Sequence, residues 1–139
     1  MRKDQNIKPV FKRIDCIRIP ASNLEEGLKF YSKKLGHPLL WRTETSIRLK
    51  IPESEAEIVI HIEPDKLETD ILVESAEKAA QRFIEVGGSI VYGPFDIPIG
   101  KCVIVKDPWN NQFVLLDNSR GIYQTDEDAN VIGIAKKEY

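Results

Sequence analysis

The chain has 139 residues, of which 42% are hydrophobic and 30% are charged, and its formal net charge is −2. This length suits one domain with a buried core, and the composition excludes disordered, fibrous and membrane-embedded classes. The slightly acidic balance also excludes non-specific binding to nucleic acid, which needs a basic surface.

The N-terminus and the cysteines indicate the compartment. Residues 1–8 are polar and charged, and they contain no apolar stretch that resembles a signal peptide or a membrane span. We therefore expect a cytoplasmic protein with no membrane partner. Cys16 and Cys102 both lie in apolar, strand-like stretches, which predicts buried thiols in a reducing compartment rather than a disulfide.

The first half of the chain predicts a strand, a helix and three further strands. Residues 11–19 alternate with period two, which places Cys16 and Arg18 on one face of a strand. A helix should begin after the capping residue Asn23 and end at Gly36. Its apolar stripe consists of Leu24, Leu28, Tyr31 and Leu35. The later strands are predicted at residues 39–42, 47–51 and 58–63.

The second half repeats this pattern. A strand is predicted over residues 68–73, and a helix should begin after Ser75 and end at the Gly87–Gly88 pair. Asn23 and Ser75 are 52 residues apart, and so are Gly36 and Gly88, which indicates an internal repeat. The remaining strands are predicted at residues 89–92, 101–106 and 112–117.

The last two of these strands should form a hairpin. Asp107, Pro108, Trp109, Asn110 and Asn111 join them. The aspartate can accept hydrogen bonds within the turn, proline presets φ, and asparagine tolerates positive φ. Trp109 is expected to be a partly exposed cap on this turn.

These patterns divide the chain into three parts. An N-terminal extension covers residues 1–10, a single domain covers residues 11–117, and a charged tail covers residues 118–139. The domain consists of two βαβββ modules, residues 11–63 and 68–117. Residues 131–134 of the tail are apolar and could add an edge strand.

Two motifs carry a resemblance to a known family. Residues 23–36 read Asn-Leu-Glu-Glu-Gly-Leu-Lys-Phe-Tyr-Ser-Lys-Lys-Leu-Gly, and residues 107–111 read Asp-Pro-Trp-Asn-Asn. With the repeat, they make the chain similar to the vicinal oxygen chelate superfamily, which includes glyoxalase I, bleomycin-resistance proteins and extradiol dioxygenases. The resemblance implies an α+β fold whose two βαβββ modules have mixed sheets around a shared cleft. It also implies a homodimer, in which the partner covers open sheet edges.

The face of the sheet opposite the helices should line this cleft, and it is unusually polar. The candidate ligand-binding residues on it are Arg18, Arg48, His61, Glu68 and Asp70. Such groups are costly to desolvate unless they pair with each other, bind a ligand or stay hydrated. Paired charges without any chemistry remain an alternative. If a ligand binds, an arginine is the expected anchor, because its planar fork matches carboxylates and phosphates. Trp41 could belong to the core or line the cleft mouth.

The metal ligands of the family correspond to Cys16, His61, Glu68 and Val114 in this sequence. Because valine cannot bind a metal, we expect no complete metal site and no cofactor. If a divalent metal does bind, the resemblance assigns it to Cys16, His61 and Glu68, with one open position.

Three functions remain open. The resemblance and the incomplete ligand set favour a glyoxalase-like or bleomycin-resistance-like protein that binds a small polar molecule in the cleft. The first alternative is a metal-dependent lyase or isomerase of the lactoylglutathione lyase type. The second is a non-catalytic structural or interaction dimer. Whether the protein is an enzyme is left undecided by the sequence; if it is one, the resemblance implies a glyoxalase-type lyase or a dioxygenase-like enzyme.

Overall fold

The computed structural model describes residues 7–62 and 67–136. Glu63 and residues 1–6 of the predicted extension lie outside the described residues. The elements are β1 (Phe11–Pro20), α1 (Leu24–Leu28) with a π-helical continuation (Lys29–Lys34), β2 (Leu39–Arg42), β3 (Ser46–Leu49), β4 (Glu57–His61), β5 (Glu68–Val73), α2 (Ala76–Glu85), β6 (Ser89–Ile97), β7 (Gly100–Lys106), β8 (Gln112–Leu116), β9 (Ile122–Thr125) and β10 (Val131–Ala135). Within residues 7–62 and 67–136, neither helix is long and apolar enough to cross a membrane.

One sheet contains the strands of both modules. Its order is β2-β3-β4-β1-β5-β8-β7-β6. At the centre β1 pairs antiparallel with β5, while β1 is parallel to β4 and β5 is parallel to β8. The strand order on one side of the centre is thus repeated on the other. The predicted α+β fold with two βαβββ modules is confirmed.

The first helix widens at its C-terminal end, which the sequence pattern did not predict. It begins as expected, because the Asn23 Oδ1 accepts a hydrogen bond from the Glu26 N–H at 3.0 Å. Further on, the Leu35 N–H donates to the Phe30 carbonyl, five residues back, at 3.0 Å. This turn therefore holds one residue more than an α-helical turn. The extra residue rotates Leu35 out of the apolar stripe, and its side chain is 54% exposed.

The extra residue also accounts for a small mismatch in the repeat. Both helices are followed by a glycine with positive φ, Gly36 at 88° and Gly87 at 101°, a conformation that glycine adopts without strain. The capping residues Asn23 and Ser75 are 52 residues apart, whereas these two glycines are 51 residues apart. The first helix is therefore longer by the one residue that its π-helical turn accommodates.

Each helix covers one face of its own module. The first helix packs on a core whose buried members are Ile47, Leu49, Ile58 and Ile60. The second contributes Ala76, Ala79 and Ala80 to a core completed by Ile71, Val73, Val103, Val105 and Leu115. The opposite face of the sheet is left to line the space between the modules.

The tail is a β-hairpin rather than a single edge strand. β9 pairs antiparallel with β10, and residues 126–130 join them in the same turn that residues 107–111 form. In both turns the aspartate carboxylate accepts hydrogen bonds from the backbone N–H two and four residues later and from the asparagine amide. The fourth residue has positive φ in each, 70° at Asn110 and 67° at Ala129.

Asp117 joins three elements at one end of the second module. Its buried carboxylate accepts hydrogen bonds from the N–H of Ala76 at 2.8 Å and of Lys101 at 2.9 Å, and from the Ser119 hydroxyl at 2.8 Å. Burial alone would raise the pKa of Asp117, but these hydrogen bonds together outweigh burial and lower it. One carboxylate thus ties the start of α2 to β7 and to the chain beyond β8.

Replacing Asp117 by alanine should lower the free energy of unfolding by about 2–4 kcal/mol at pH 7, because buried N–H groups lose their acceptor. The folded-state pKa of Asp117 lies below its unfolded value of about 3.9, so its stabilisation is complete above that value and disappears as the pH falls through the folded-state pKa. The difference in free energy of unfolding between wild type and Asp117→Ala, measured with urea, should therefore shrink progressively as the pH falls below about 3.9. Glu53→Ala, at an exposed turn position, is the control. If the difference in free energy of unfolding between wild type and Asp117→Ala stays the same at every pH, this role of the Asp117 carboxylate is contradicted.

Candidate functional site

A cavity of about 400 Å³ lies between the two modules. Its polar lining consists of Arg13, Asp15, Arg18, Arg48, Glu57, Asp70 and Asn118. Its apolar lining includes Val59, Leu72, Ile97, Ile99, Leu116 and Ile122, with Trp41 and Tyr123 as the aromatic members. The cavity therefore offers a charged wall and an apolar wall to one occupant.

A β-bulge in β1 determines which side chains of that strand reach the cavity. Ile14 pairs with Ile71 and Cys16 with Asp70, so Asp15 and Cys16 together face one residue of β5. A bulge changes the alternation of side chains along a strand. Both Asp15 and Cys16 consequently line the cavity, although regular alternation would place them on opposite faces. No signal in the sequence marks this bulge, and the sequence analysis missed Asp15.

Arg48 is fully engaged by its neighbours. Its guanidinium donates to the Asp15 carboxylate at 3.2 Å, to the Asp15 carbonyl at 2.9 Å and to the Glu57 carboxylate. Burial alone would lower the pKa of Arg48, but Asp15 and Glu57 outweigh it and raise the pKa. The side chain is only 14% exposed. Arg48 was predicted as a ligand anchor, but its hydrogen bonds instead link β3 to Asp15 of β1 and to Glu57 of β4.

Arg18 is held more loosely. As the repeat predicts, it lies opposite an acid on the neighbouring central strand, because Arg18 pairs with Glu68 and Cys16 with Asp70 in the β1–β5 register. The Arg18 Nε lies 3.7 Å from a Glu68 carboxylate oxygen, and both side chains are about one-third exposed (32% and 33%). Within residues 7–62 and 67–136, this is the one ion pair that the Arg18 guanidinium makes.

Asp70 and Cys16 are the buried polar groups at the centre of the cavity wall. The Cys16 Sγ lies 3.7 Å from the Asp70 Oδ2, and the Asp70 Oδ1 accepts no hydrogen bond from a described residue. Burial and the Glu68 carboxylate raise the pKa of Asp70 to about 9. Burial, followed by the charge of Asp70, raises the pKa of Cys16 far above its usual range. At neutral pH Cys16 is therefore a thiol.

The conditional metal ligands are not brought together. His61 is buried at the end of β4 beside Pro20, and it does not line the cavity. Pro20 is four residues from Cys16 along β1, or about 13 Å at the rise of a strand. Glu68 pairs with Arg18, and Val114 belongs to an apolar cluster. Among the described residues no three His, Cys, Asp or Glu side chains lie close enough to hold a metal ion. The donor set does not fit the metal of the family.

The apolar end of the cavity combines β2 with the tail hairpin. The rings of Trp41 and Tyr123 meet edge to face, with centroids 4.8 Å apart and planes at 68°. Trp41 therefore lines the cleft rather than the core, which decides between the two interpretations of that residue. Tyr123 was missed by the sequence analysis because it lies in the tail. Trp109, by contrast, is 78% exposed on its turn, as the hairpin pattern predicts.

The sequence matches a family model over most of its length. Residues 13–115 match the model described as the Glyoxalase/Bleomycin resistance protein/Dioxygenase superfamily. No curated protein sequence matches the chain significantly.

Solved structures share this fold at low identity. Methylmalonyl-CoA epimerase from Mycobacterium tuberculosis superposes with a TM-score of 0.67 and 15% identity, covering 79% of this chain and 90% of that one. A hypothetical protein from Bacillus halodurans superposes with a TM-score of 0.64 and 15% identity, covering 81% of this chain and 98% of that one. Homoprotocatechuate 2,3-dioxygenase from Brevibacterium fuscum superposes with a TM-score of 0.57 and 20% identity, covering 81% of this chain and 39% of that one. At these identities the likeness establishes the fold alone.

Replacing Arg48 by alanine should lower the free energy of unfolding by about 2–4 kcal/mol, because it leaves Asp15 and Glu57 without their shared cation in a mostly buried setting. Chemical denaturation measures this loss. Arg82→Ala is the control, since Arg82 pairs with Glu85 on the exposed side of α2 and should change stability by less than about 0.5 kcal/mol. An Arg48→Ala variant as stable as Arg82→Ala would show that the charged wall is hydrated and structurally dispensable.

Proposed function

The chain belongs to the Glyoxalase/Bleomycin resistance protein/Dioxygenase superfamily, and on that premise we propose that its cavity binds a small molecule with an anionic, oxygen-rich head and an apolar body, without a bound metal. The observation that carries the proposal is the contrast between Arg48 and Arg18, two of the three arginines that line the cavity. Each of the three guanidinium nitrogens of Arg48 donates a hydrogen bond to Asp15 or Glu57. Arg18 keeps one loose ion pair, so its guanidinium is available to a ligand.

The rest of the lining supports a ligand with two different ends. Arg18 supplies a planar fork of donors, which suits a carboxylate or a phosphate. The apolar wall, with Trp41 and Tyr123 at one end, suits a hydrocarbon or ring. A volume of about 400 Å³ lies in the range of small-molecule sites. This pattern supports binding more directly than it supports a structural dimer, since an interface needs no such cavity.

The metal-dependent lyase alternative is disfavoured by the donor set. Cys16 lies four residues along β1 from Pro20, the partner of His61, while His61 lies outside the cavity and Val114 offers no donor. The homodimer and the cytoplasmic location remain predictions, which rest on the resemblance and on the sequence respectively.

We expect the purified protein to contain no stoichiometric metal, because its donor residues are dispersed. Elemental analysis of the protein purified without chelator should find well below one transition-metal ion per chain. Finding about one zinc, nickel, manganese or iron per chain, lost in His61→Ala or Cys16→Ala, would overturn the metal-free proposal and favour the lyase.

Ligand binding should be visible as thermal stabilisation that depends on Arg18. In a screen of small carboxylates, phosphates and thiol conjugates, a ligand at about 100 times its Kd should raise the Tm by roughly 5–10 °C. Arg18→Ala should abolish this rise.

The unliganded Tm of Arg18→Ala should barely change, since a partly exposed pair contributes about 0–1 kcal/mol. Arg82→Ala should keep the full response to the ligand. If no compound in the screen shifts the Tm of the wild type while Arg18→Ala unfolds several degrees early, the charged wall is structural and the binding proposal fails.

A further inference from the structure

The tail hairpin forms one wall of the cavity, and its attachment suggests a role in binding. We propose that the hairpin of residues 122–135 closes over the ligand and that its Tyr123 hydroxyl binds the same anionic head as Arg18, which makes a monocarboxylate on a flat apolar body the favoured ligand class. This inference rests on the proposed function of the cavity.

The hairpin touches the sheet through few connections. Strand β9 pairs with β10. Among the described residues the hairpin meets the sheet edge at an isolated parallel bridge between Arg42 and Asn130, where the Arg42 N–H donates to the Ala129 carbonyl at 2.9 Å. The ring contact of Trp41 with Tyr123 is a second connection. An element held by one isolated bridge and one ring contact costs little to open, so it belongs to the low-stability part of the fold.

The hairpin itself is internally well ordered. The Asp126 carboxylate accepts hydrogen bonds from the backbone N–H groups of Asp128 and Asn130 across the turn. The antiparallel pairing of β9 with β10 holds the two strands together. At its base Gly121 has φ 142°, and a Cβ there would lie 2.0 Å from the Ala135 carbonyl oxygen. Only glycine allows the two ends of the hairpin to approach this closely. The hairpin is therefore held together by its own contacts, independently of its docking on the sheet.

Tyr123 adds a hydrogen-bond donor, its hydroxyl, to the lining of the cavity. Burial raises the pKa of its hydroxyl, and the charge of Arg18 acts in the opposite direction. Arg18 is thus near enough to influence this hydroxyl, which stays protonated at neutral pH. Tyr123 and Arg18 both line the cavity, one from the hairpin and one from β1. A ligand that meets both groups must accept hydrogen bonds from each.

The charge of the wall selects a monoanion. The charge of Arg48 is outweighed by the two carboxylates of Asp15 and Glu57, Arg13 is paired with Glu55, and Arg18 is partly compensated by Glu68. A dianionic phosphate would find too little positive charge to repay its desolvation, whereas one carboxylate matches one guanidinium fork. The ring face between Trp41 and the aliphatic wall suits a planar body.

The test uses full-length protein and a panel of benzoate, phenylacetate and 2-naphthoate, with acetate and phenyl phosphate for comparison. Calorimetric titration should show wild type binding at least one aryl carboxylate more tightly than either comparison compound. Tyr123→Phe keeps the ring against Trp41 and removes only the hydroxyl, so it should weaken aryl carboxylate binding about tenfold or more. Tyr92→Phe, at a 63% exposed position on β6, should bind as wild type does.

Amide hydrogen exchange reports closure of the hairpin. At saturation, residues 122–135 of the wild type should exchange several-fold more slowly than in the free protein, and this slowing should shrink in Tyr123→Phe at equal occupancy. If Tyr123→Phe binds aryl carboxylates as tightly as wild type and hairpin exchange does not respond, the hairpin is a static cover and this inference is overturned while the proposed function stands. Tighter binding of phenyl phosphate overturns the carboxylate assignment. No binding by any member overturns this inference, whereas the proposed function is overturned only when the broader screen also finds no ligand.

Discussion

The antiparallel pairing of β1 with β5 is the contact on which both modules depend. It joins two half-sheets of like order into one sheet, and it places residues of one module directly beside those of the other. Arg18 meets Glu68 and Cys16 meets Asp70 in this register. Because cross-strand neighbours project from the same face, the pairing builds a polar wall from both modules. A shift of one residue would turn that wall toward the helices.

The polar wall is tolerated because its charges are matched within it. Arg48 is shared between Asp15 and Glu57, so three charges that would be costly to bury alone stabilise one another. Asp70 avoids the cost by keeping its proton. The rest of the Arg18 guanidinium, beyond the Nε that faces Glu68, has no matching charge. Arg18 therefore gives the cavity its preference for an anionic ligand. The same physical terms that hold the strands together thus determine what the cavity can accept.

The two five-residue turns show how local chemistry can be recognised in one place and missed in another. Both use an aspartate and an asparagine four residues later to satisfy the backbone, and the sequence analysis interpreted only the first. The spacing of Asp126 and Asn130, followed by an apolar stretch, was the available signal for the tail hairpin. Its position over the cavity had no such signal, because docking depends on Trp41, which is distant in sequence.

The sequence by itself determined the two modules, their helix caps, the first hairpin turn and the identity of the family, because each of these depends on residues that are near one another along the chain. The repeat also predicted that Arg18 lies opposite an acidic residue. Only the tertiary structure decided that Arg48 is consumed by ion pairs, that His61 lies away from the cavity, and that Tyr123 lines it. A bulge at Asp15, an extra residue in a helical turn and the folding back of a tail alter side-chain directions through long-range packing, which no local pattern records.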